Sequence, residues 1–174
     1  MNIIEGFKKG VLVDPEKMAA VCGSTRLSFS EVSERVNRLS NSLVRLGLGR
    51  SDRVAILALN CHRYLELYYG APQMGAVVVP INFRLVASEV KYIIDHSGSR
   101  AVFTDDALAP LIESLRDELS SVEHFISIGQ KRRDGFLDYE EMIEAGNPDF
   151  EPADLAEGDL LGLFYTSGTT AEPK

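Results

Sequence analysis

The residues best suited to chemistry form a run of small polar side chains that closes with a lysine. Four hydroxyls, one glycine and one lysine occur within nine residues, directly after the apolar run 160–165. Small residues let backbone N–H groups approach phosphate oxygens, hydroxyls donate hydrogen bonds to them, and lysine adds a full positive charge. The run is therefore suited to a nucleotide polyphosphate. Its candidate binding residues are Thr166, Ser167, Gly168, Thr169, Thr170 and Lys174.

Other loops of similar composition fit this run less well. The G-x-x-x-x-G-K-[ST] spacing of the common P-loop is absent. Ser167 is disfavoured as a hydrolase nucleophile, because Tyr165 stands where G-x-S-x-G requires its first glycine. A dinucleotide-dependent oxidoreductase is disfavoured as well, because no G-x-G-x-x-G follows the first strand. Composition alone leaves a polar turn without a ligand open as an alternative.

The rest of the sequence alternates between strands and helices. Short continuous apolar runs, typical of strands buried on both faces, predict strands at 54–59, 76–79, 101–103, 125–128 and 160–165. Apolar residues at helical spacing predict helices at 28–46, 60–72, 88–96 and 105–119, and a further short helix from 138. This alternation predicts a single α/β domain over residues 1–174, with a mainly parallel sheet flanked by helices. Ligands of such sheets bind beyond the carboxyl ends of the strands, which points to the residues after Tyr165.

The first long helix carries the clearest local signals. Ser28 and Glu31 have the spacing of a capping box. Glu31 and Arg35, and likewise Glu34 and Arg38, are four residues apart with the acid first, so we expect both to form surface ion pairs. Other expected helix caps and stops are Gly47, Asn60, Pro72, Gly98, Asp105 or Asp106, and Asp138 with Glu141.

Composition excludes several classes of protein. The net charge of −8 and the pI near 4.9 disfavour general nucleic-acid binding. No apolar run approaches the roughly 20 residues of a membrane span, and no secretory signal is visible, so a cytoplasmic protein is expected. Two cysteines, Cys22 and Cys61, fit a reducing compartment, and three scattered histidines give no zinc spacing, so no metal site is predicted.

Several other conspicuous residues have structural interpretations. The tyrosines at 64, 68 and 69 lie at helical spacing, which favours core packing over a pocket lining. The basic run Lys131–Arg133 is interpreted as a solvated loop. His62 and His96 have no visible partner in the sequence, and we assign them no catalytic role.

The run Tyr165–Lys174 closely resembles the phosphate-loop signature of the adenylate-forming family. That family comprises acyl-CoA and aryl-CoA synthetases, beetle luciferases and the adenylation domains of peptide synthetases. The stretches Gly75–Arg84 and Asp95–Phe103, with Glu89 between them, resemble the early region of acyl-CoA synthetases. The resemblance runs from about Phe29 to Lys174 and covers only the N-terminal part of a full-length member. Residues that match the usual pattern of CoA ligases are Pro80, Asn82 and Arg84.

The resemblance implies an N-terminal fragment of an ATP-dependent acyl-CoA synthetase, a fatty or other carboxylic acid–CoA ligase that works through an acyl-adenylate. The fragment would be the first subdomain of the family's large N-terminal domain, truncated after the phosphate-binding loop and inactive alone. Its substrates would be a carboxylic acid, ATP with Mg2+, and CoA. Residues Thr166–Thr170 would wrap the β- and γ-phosphates, and Lys174 would neutralise the leaving pyrophosphate.

Ala171 stands where the family usually has glycine, which indicates a slightly different loop. The family's other binding segments and its catalytic lysine lie beyond Lys174, so no residue of this chain is assigned a catalytic role. The alternative is a standalone nucleotide-binding module without catalysis. In a truncated N-terminal fragment of the family's large domain, uncovered sheet edges and apolar faces favour self-association into a homo-oligomer.

Overall fold

A computed structural model describes residues 3–166. Its helices are Ile3–Val13 (α1), Phe29–Arg45 (α2), His62–Gln73 (α3), Ala87–Ser97 (α4), Ala109–Leu115 (α5) and Tyr139–Ala145 (α6). Its strands are Met18–Cys22 (β1), Thr25–Ser28 (β2), Arg53–Leu57 (β3), Val77–Pro80 (β4), Ser99–Thr104 (β5), His124–Ser127 (β6) and Leu137–Asp138 (β7). A 3-10 turn, Arg116–Glu118, follows α5. Within this described part, no helix is long and apolar enough to cross a membrane.

Five strands form one parallel sheet in the order β4-β3-β5-β6-β7. The strands β1 and β2 form a separate antiparallel hairpin. The mainly parallel sheet flanked by helices is therefore confirmed. Because β4 and β5 lie on opposite sides of β3, the chain reverses its direction of winding at β3. In such sheets a ligand crevice lies at the carboxyl ends of the strands.

Successive side chains of a strand point to opposite faces of the sheet. Helices cover both faces of the central strands, so these side chains are buried on either side. Val54 and Ile56 of β3 lie in a core cluster with α2, α3 and α6. Ala55 and Leu57 of the same strand lie in a second cluster with α4 and α5. All four residues are fully buried, as the continuous apolar run predicts. The sheet is thus a rigid layer between two groups of helices.

Helix α2 begins as predicted but one of its ion pairs differs. Ser28 Oγ accepts a hydrogen bond from the Glu31 backbone N–H at 3.3 Å, and the Glu31 carboxylate accepts one from the Ser28 N–H at 2.7 Å. The surface pair between Glu34 and Arg38 is confirmed at 2.7 Å. The predicted pair between Glu31 and Arg35 is wrong. The Glu31 carboxylate accepts the capping hydrogen bond instead, and the Arg35 side chain points towards α3 and α6. Gly47 follows the helix with a φ of +79°, the expected left-handed stop.

Arg35 is part of an ion network that joins α2, α3 and α6. Its guanidinium lies 2.7 Å from the carboxylate of Glu66 and 2.9 Å from that of Glu140. Glu140 also binds Arg63 at 2.6 Å, and the Tyr139 hydroxyl donates to Glu66 at 2.6 Å. The Glu66 side chain is fully buried. Burial alone would raise the pKa of Glu140, but hydrogen bonds from Arg35 and Arg63 outweigh burial and lower it. A carboxylate as buried as Glu66 requires this pairing.

Helix α3 departs from the sequence prediction in three details. Its N-cap residue is Cys61 rather than Asn60, and Cys61 makes no side-chain capping bond. Pro72 lies inside the helix, which continues to Gln73. Its fully buried apolar residues are Leu67 and Ala71. They lie on a different face of the helix from the tyrosines, which the sequence predicted to point into the core. Close packing against α2 decides the inward face, since the buried Gly70 of α3 lies directly against Leu39.

All three tyrosines of α3 pack against another aromatic ring, and the predicted packing against the core holds for Tyr64 and Tyr68. Tyr64 and Tyr68 stack with centroids 5.5 Å apart and lie against the core. Tyr69 stacks on Phe7 of α1 at 4.3 Å. Helix α1 and the β1–β2 hairpin were not predicted from the sequence. Both lie at the side of the domain formed by α2 and α3.

Candidate functional site

A short segment before the candidate loop adds to the open edge of the sheet. Gly162 forms an isolated parallel bridge with Val78 of β4. The Val78 N–H donates to Leu161 O at 3.1 Å, and the Leu163 N–H donates to Val78 O at 2.9 Å. A Cβ at Gly162 would lie 2.9 Å from Val78 O, so glycine is needed for this approach. Because the segment runs parallel to β4, Thr166 follows at the carboxyl edge of the sheet, where ligands of such sheets bind.

The predicted buried strand 160–165 is wrong in length and in burial. Strand pairing is limited to the bridge at Gly162, and Leu160 and Phe164 are 65% and 58% exposed. Leu163 and Tyr165 pack against the core cluster beside α4 and α5. The physical reason is that alternate side chains point to opposite faces, and in the described part of the chain only the face of Leu163 and Tyr165 is covered by the core.

The candidate phosphate-binding residues fall mostly beyond the described part. Thr166 is described and is exposed at the carboxyl edge of the sheet. Ser167, Gly168, Thr169, Thr170 and Lys174 lie outside the described residues. Their phosphate contacts stay predictions from the sequence. The structure shows where the loop begins, at Thr166.

Tyr165, the residue before the loop, is held by a histidine of α4. The Tyr165 hydroxyl and His96 Nδ1 share a hydrogen bond at 2.8 Å, and the two rings meet edge-to-face at 5.7 Å. His96 in turn stacks on Tyr92 with centroids 5.4 Å apart. Burial, together with the neighbouring Tyr92, raises the pKa of Tyr165. The interpretation that His96 has no partner is wrong, because the fold brings together two residues that are far apart in sequence.

The same face of α4 borders an open cavity of about 520 Å³. Lys91 and Asp95 form an ion pair of 2.6 Å across one turn of this face. The cavity lies beside His96 and thus beside the start of the loop. Its lining residues are Ser88, Lys91, Tyr92, Asp95 and His96.

An arginine lies at the carboxyl end of β4, the strand that pairs with the segment before the loop. Arg84 is exposed, and its guanidinium lies 5.5 Å from the ring centroid of Phe83. Asn82 Oδ1 accepts a hydrogen bond from the Arg84 backbone N–H at 3.0 Å, which fixes the turn. Arg84 therefore adds a positive charge to the sheet edge at which Thr166 lies, on a protein of net negative charge.

The carboxylates after β5 are structural. Asp105 accepts hydrogen bonds from the backbone N–H groups of Leu59 at 2.7 Å and of Leu108 at 3.0 Å. Asp105 thus fixes the turn that leads into α5, but the prediction that it caps the helix is wrong, because α5 begins later, with Leu108 as its N-cap. Asp106 instead accepts from the Gln130 N–H at 2.8 Å and ties the loop after β6 to the loop after β5.

The basic run after β6 is less solvated than predicted. The Arg133 side chain is 13% exposed and pairs with Glu113 at 2.7 Å and with Asp106 at 3.7 Å. Arg132 fits the prediction, since it is 81% exposed and binds Glu141. The run is therefore partly a structural tie between α5 and the β6 loop.

A second cavity, of about 330 Å³, lies between the hairpin and the start of α3, where Cys22, Cys61 and His62 line it. Both cysteines are free thiols. Burial raises the pKa of the Cys61 thiol and lowers the pKa of His62. Among residues 3–166, no three His, Cys, Asp or Glu side chains are grouped so that they could hold a metal ion.

Known proteins resemble the chain in both sequence and fold. A family model described as AMP-binding enzyme matches residues 7–174. The 3-methylmercaptopropionyl-CoA ligase of Ruegeria lacuscaerulensis is 39% identical over 156 residues, which cover 86% of this chain and 29% of that protein. The long-chain-fatty-acid–CoA ligase of Thermus thermophilus is 40% identical over 149 residues, covering 86% and 27%.

Solved structures agree with the sequence relatives. The anthranilate CoA ligase AuaEII in complex with anthranoyl-AMP matches with a TM-score of 0.96 at 29% identity, over 99% of this chain and 33% of that one. The inhibitor-bound N-terminal domain of FACL13 from Mycobacterium tuberculosis matches with a TM-score of 0.89 at 34% identity, over 99% and 43%. The chain spans less than a third of the length of the two curated relatives above. From the sequence match over residues 7–174 and from this likeness of fold, we conclude that the chain belongs to the AMP-binding enzyme family.

Proposed function

We propose that this chain is the N-terminal part of an ATP-dependent acid–CoA ligase that activates a carboxylic acid as an acyl-adenylate. The observation that carries the proposal is the place of the phosphate-loop sequence. It begins at Thr166, directly after a segment that runs parallel to β4 and ends at the carboxyl edge of the sheet. The sequence relatives, a 3-methylmercaptopropionyl-CoA ligase and a long-chain-fatty-acid–CoA ligase, support the same reaction class.

The loop would bind the nucleotide rather than form a covalent intermediate. In the proposed reaction a substrate carboxylate attacks the α-phosphate of ATP, and pyrophosphate leaves. The CoA thiol then attacks the acyl carbon and displaces AMP. Residues 166–170 would donate hydrogen bonds to the β- and γ-phosphates, and Lys174 would neutralise the leaving pyrophosphate. Mg2+ would enter with ATP and offset further phosphate charge.

Two further features of the described residues fit this role. The guanidinium of Arg84 gives the carboxyl edge beside the loop a positive charge, which attracts a polyphosphate. The rigid parallel sheet holds the start of the loop, and catalysis of this kind depends chiefly on positioning and charge stabilisation. A cytoplasmic location is part of the proposal, because both cysteines are free thiols.

The proposal extends to the organisation and assembly of the chain. Residues 1–174 would be the first part of the family's large N-terminal domain. Leu160 and Phe164 are exposed beside the edge strand β4, a combination that favours association between copies. We therefore expect the chain of 174 residues to form a homo-oligomer whose mass rises with concentration in light scattering. A constant monomer mass across the series would contradict this expectation.

Acid-dependent exchange of pyrophosphate into ATP tests the proposed reaction. The assay uses the full reading frame that contains this chain, with panels of fatty, short-chain and aromatic acids. We expect exchange with one class of acid, and that class identifies the substrate. A folded protein that binds ATP but exchanges with no acid would support the standalone nucleotide-binding module instead.

A further inference from the structure

We propose that His96 is a positioning residue for the nucleotide loop and that it acts through Tyr165. The inference rests on the proposed function, because it assigns a role within the same ATP site. Tyr165 directly precedes Thr166, the first residue of the phosphate-loop sequence. A side chain that fixes Tyr165 therefore fixes the direction in which the chain enters the loop.

Two contacts hold the Tyr165 side chain. Its ring packs against the core cluster beside α4 and α5, and its hydroxyl shares a 2.8 Å hydrogen bond with His96 Nδ1. The backbone hydrogen bonds to β4 are made at Leu161 and Leu163, before Tyr165 is reached. The contact with His96 thus fixes the chain closer to the loop than the pairing with β4 does.

His96 is itself fixed to the rigid part of the domain. Its ring stacks on Tyr92, one turn earlier in α4, with an interplanar angle of 20°. The end of α4 is tied to β3, because Arg53 donates hydrogen bonds to Ser97 O at 2.6 Å and to Gly98 O at 2.8 Å. A continuous set of contacts therefore leads from the sheet through α4 and His96 to Tyr165 and the start of the loop.

Exposure separates this role from ordinary core packing. His96 is exposed and Tyr165 is only partly buried, so truncating His96 or removing the Tyr165 hydroxyl removes little buried area. The hydrogen bond is directional and defines the position of one hydroxyl group. We therefore expect its loss to change ATP binding while the stability of the domain stays the same.

The test compares two single variants and their double variant in the full reading frame by pyrophosphate exchange. Tyr165→Phe and His96→Ala each remove the hydrogen bond, and we expect the KM for ATP to rise about fivefold, the effect of one hydrogen bond. Because the bond is shared, the double variant should show the same rise as either single variant. The rate at saturating ATP, the KM for the acid and the melting temperature should stay at wild-type values.

A conservative variant and a matched control sharpen the test. His96→Asn places an amide group near the position of Nδ1, so it should restore most of the affinity for ATP that His96→Ala loses. Tyr68→Phe removes a hydroxyl from a ring of α3 that stacks on Tyr64 and should leave the KM for ATP unchanged.

The outcomes separate this inference from the proposed function. If the wild type exchanges and both single variants keep its KM for ATP, or if the two effects add in the double variant, the positioning role is overturned. If the wild type exchanges with no acid, the proposed reaction fails, and titration with a fluorescent ATP analogue decides the positioning role. Weaker binding by Tyr165→Phe and His96→Ala would then support it, and equal binding would overturn it.

Discussion

Replacing Lys174 with alanine in the full reading frame is expected to slow acid-dependent pyrophosphate exchange by about a hundredfold or more. The lysine would lie against the leaving pyrophosphate, where charge develops in the transition state, and loss of one such group commonly costs this much. The loss should appear in the rate at saturating ATP as well as in the KM for ATP, because the charge matters most during bond breaking.

Two comparison variants make the Lys174 result specific. Lys174→Arg keeps the positive charge with a different shape, so it should retain more activity than Lys174→Ala. Lys131→Ala removes an exposed lysine in the loop after β6 and should leave exchange unchanged. Exchange kinetics that are the same in Lys174→Ala and the wild type would remove this lysine from the mechanism.

Replacing Glu66 with alanine is expected to lower the free energy of unfolding by about 3–5 kcal/mol, the usual cost of breaking a buried ion pair from one side. The Glu66 side chain is fully buried, and it accepts hydrogen bonds from Arg35 at 2.7 Å and from Tyr139 at 2.6 Å. Its removal leaves the Tyr139 hydroxyl without this acceptor, halves the charge compensation of Arg35 and opens a cavity between α2 and α3. Urea unfolding of the chain of 174 residues measures the loss.

An ion pair on the surface of the same helix serves as the control for Glu66. Glu34 is 54% exposed and pairs with Arg38 four residues later in α2. Glu34→Ala should lower the free energy of unfolding by no more than about 0.5 kcal/mol, because exposed pairs are screened by water. Similar losses in Glu34→Ala and Glu66→Ala would show that the buried network contributes little to stability.

Local signals predicted the parts of the fold that depend on neighbours in sequence. The capping box at Ser28 and Glu31, the helix end at Gly47 and the cap at Asp138 are all present. Each depends on residues within one helical turn, so the sequence alone contains the information. The apolar runs of β3 and β5 were recognisable for the same reason, since a strand buried on both faces is apolar throughout.

The hairpin of β1 and β2 has a signal in the sequence at Gly23. The strands β1 and β2 are joined by the two residues Gly23 and Ser24, and Gly23 has a φ of +58°. Glycine at the first position of a two-residue loop is a recognised hairpin signature, because that position favours a positive φ. The flanking strands are short and only partly buried, so their apolar alternation is weak.

Contacts between distant residues could not be predicted from the sequence. Arg35 has an acceptable partner four residues earlier in α2, and only the packing of α3 and α6 shows that it binds Glu66 and Glu140 instead. His96 and Tyr165 meet because the segment 161–163 adds to β4 beside α4. At the candidate site, the sequence therefore identified the residues of the phosphate loop. The structure identified the contact with His96 that holds Tyr165, the residue before the loop.

The bridge between Gly162 and Val78 has a consequence for the order of folding. The strands β5, β6 and β7 and the helices α4, α5 and α6 all lie between these two residues in sequence. Contacts between residues so far apart in sequence require a long loop to close, and we expect them to form late in folding. The proposed nucleotide site would therefore be completed after the sheet, and we expect the segment 161–163 to open while the rest of the described chain stays folded. We therefore expect bound ATP to slow hydrogen exchange at this edge of the sheet more than elsewhere in the domain.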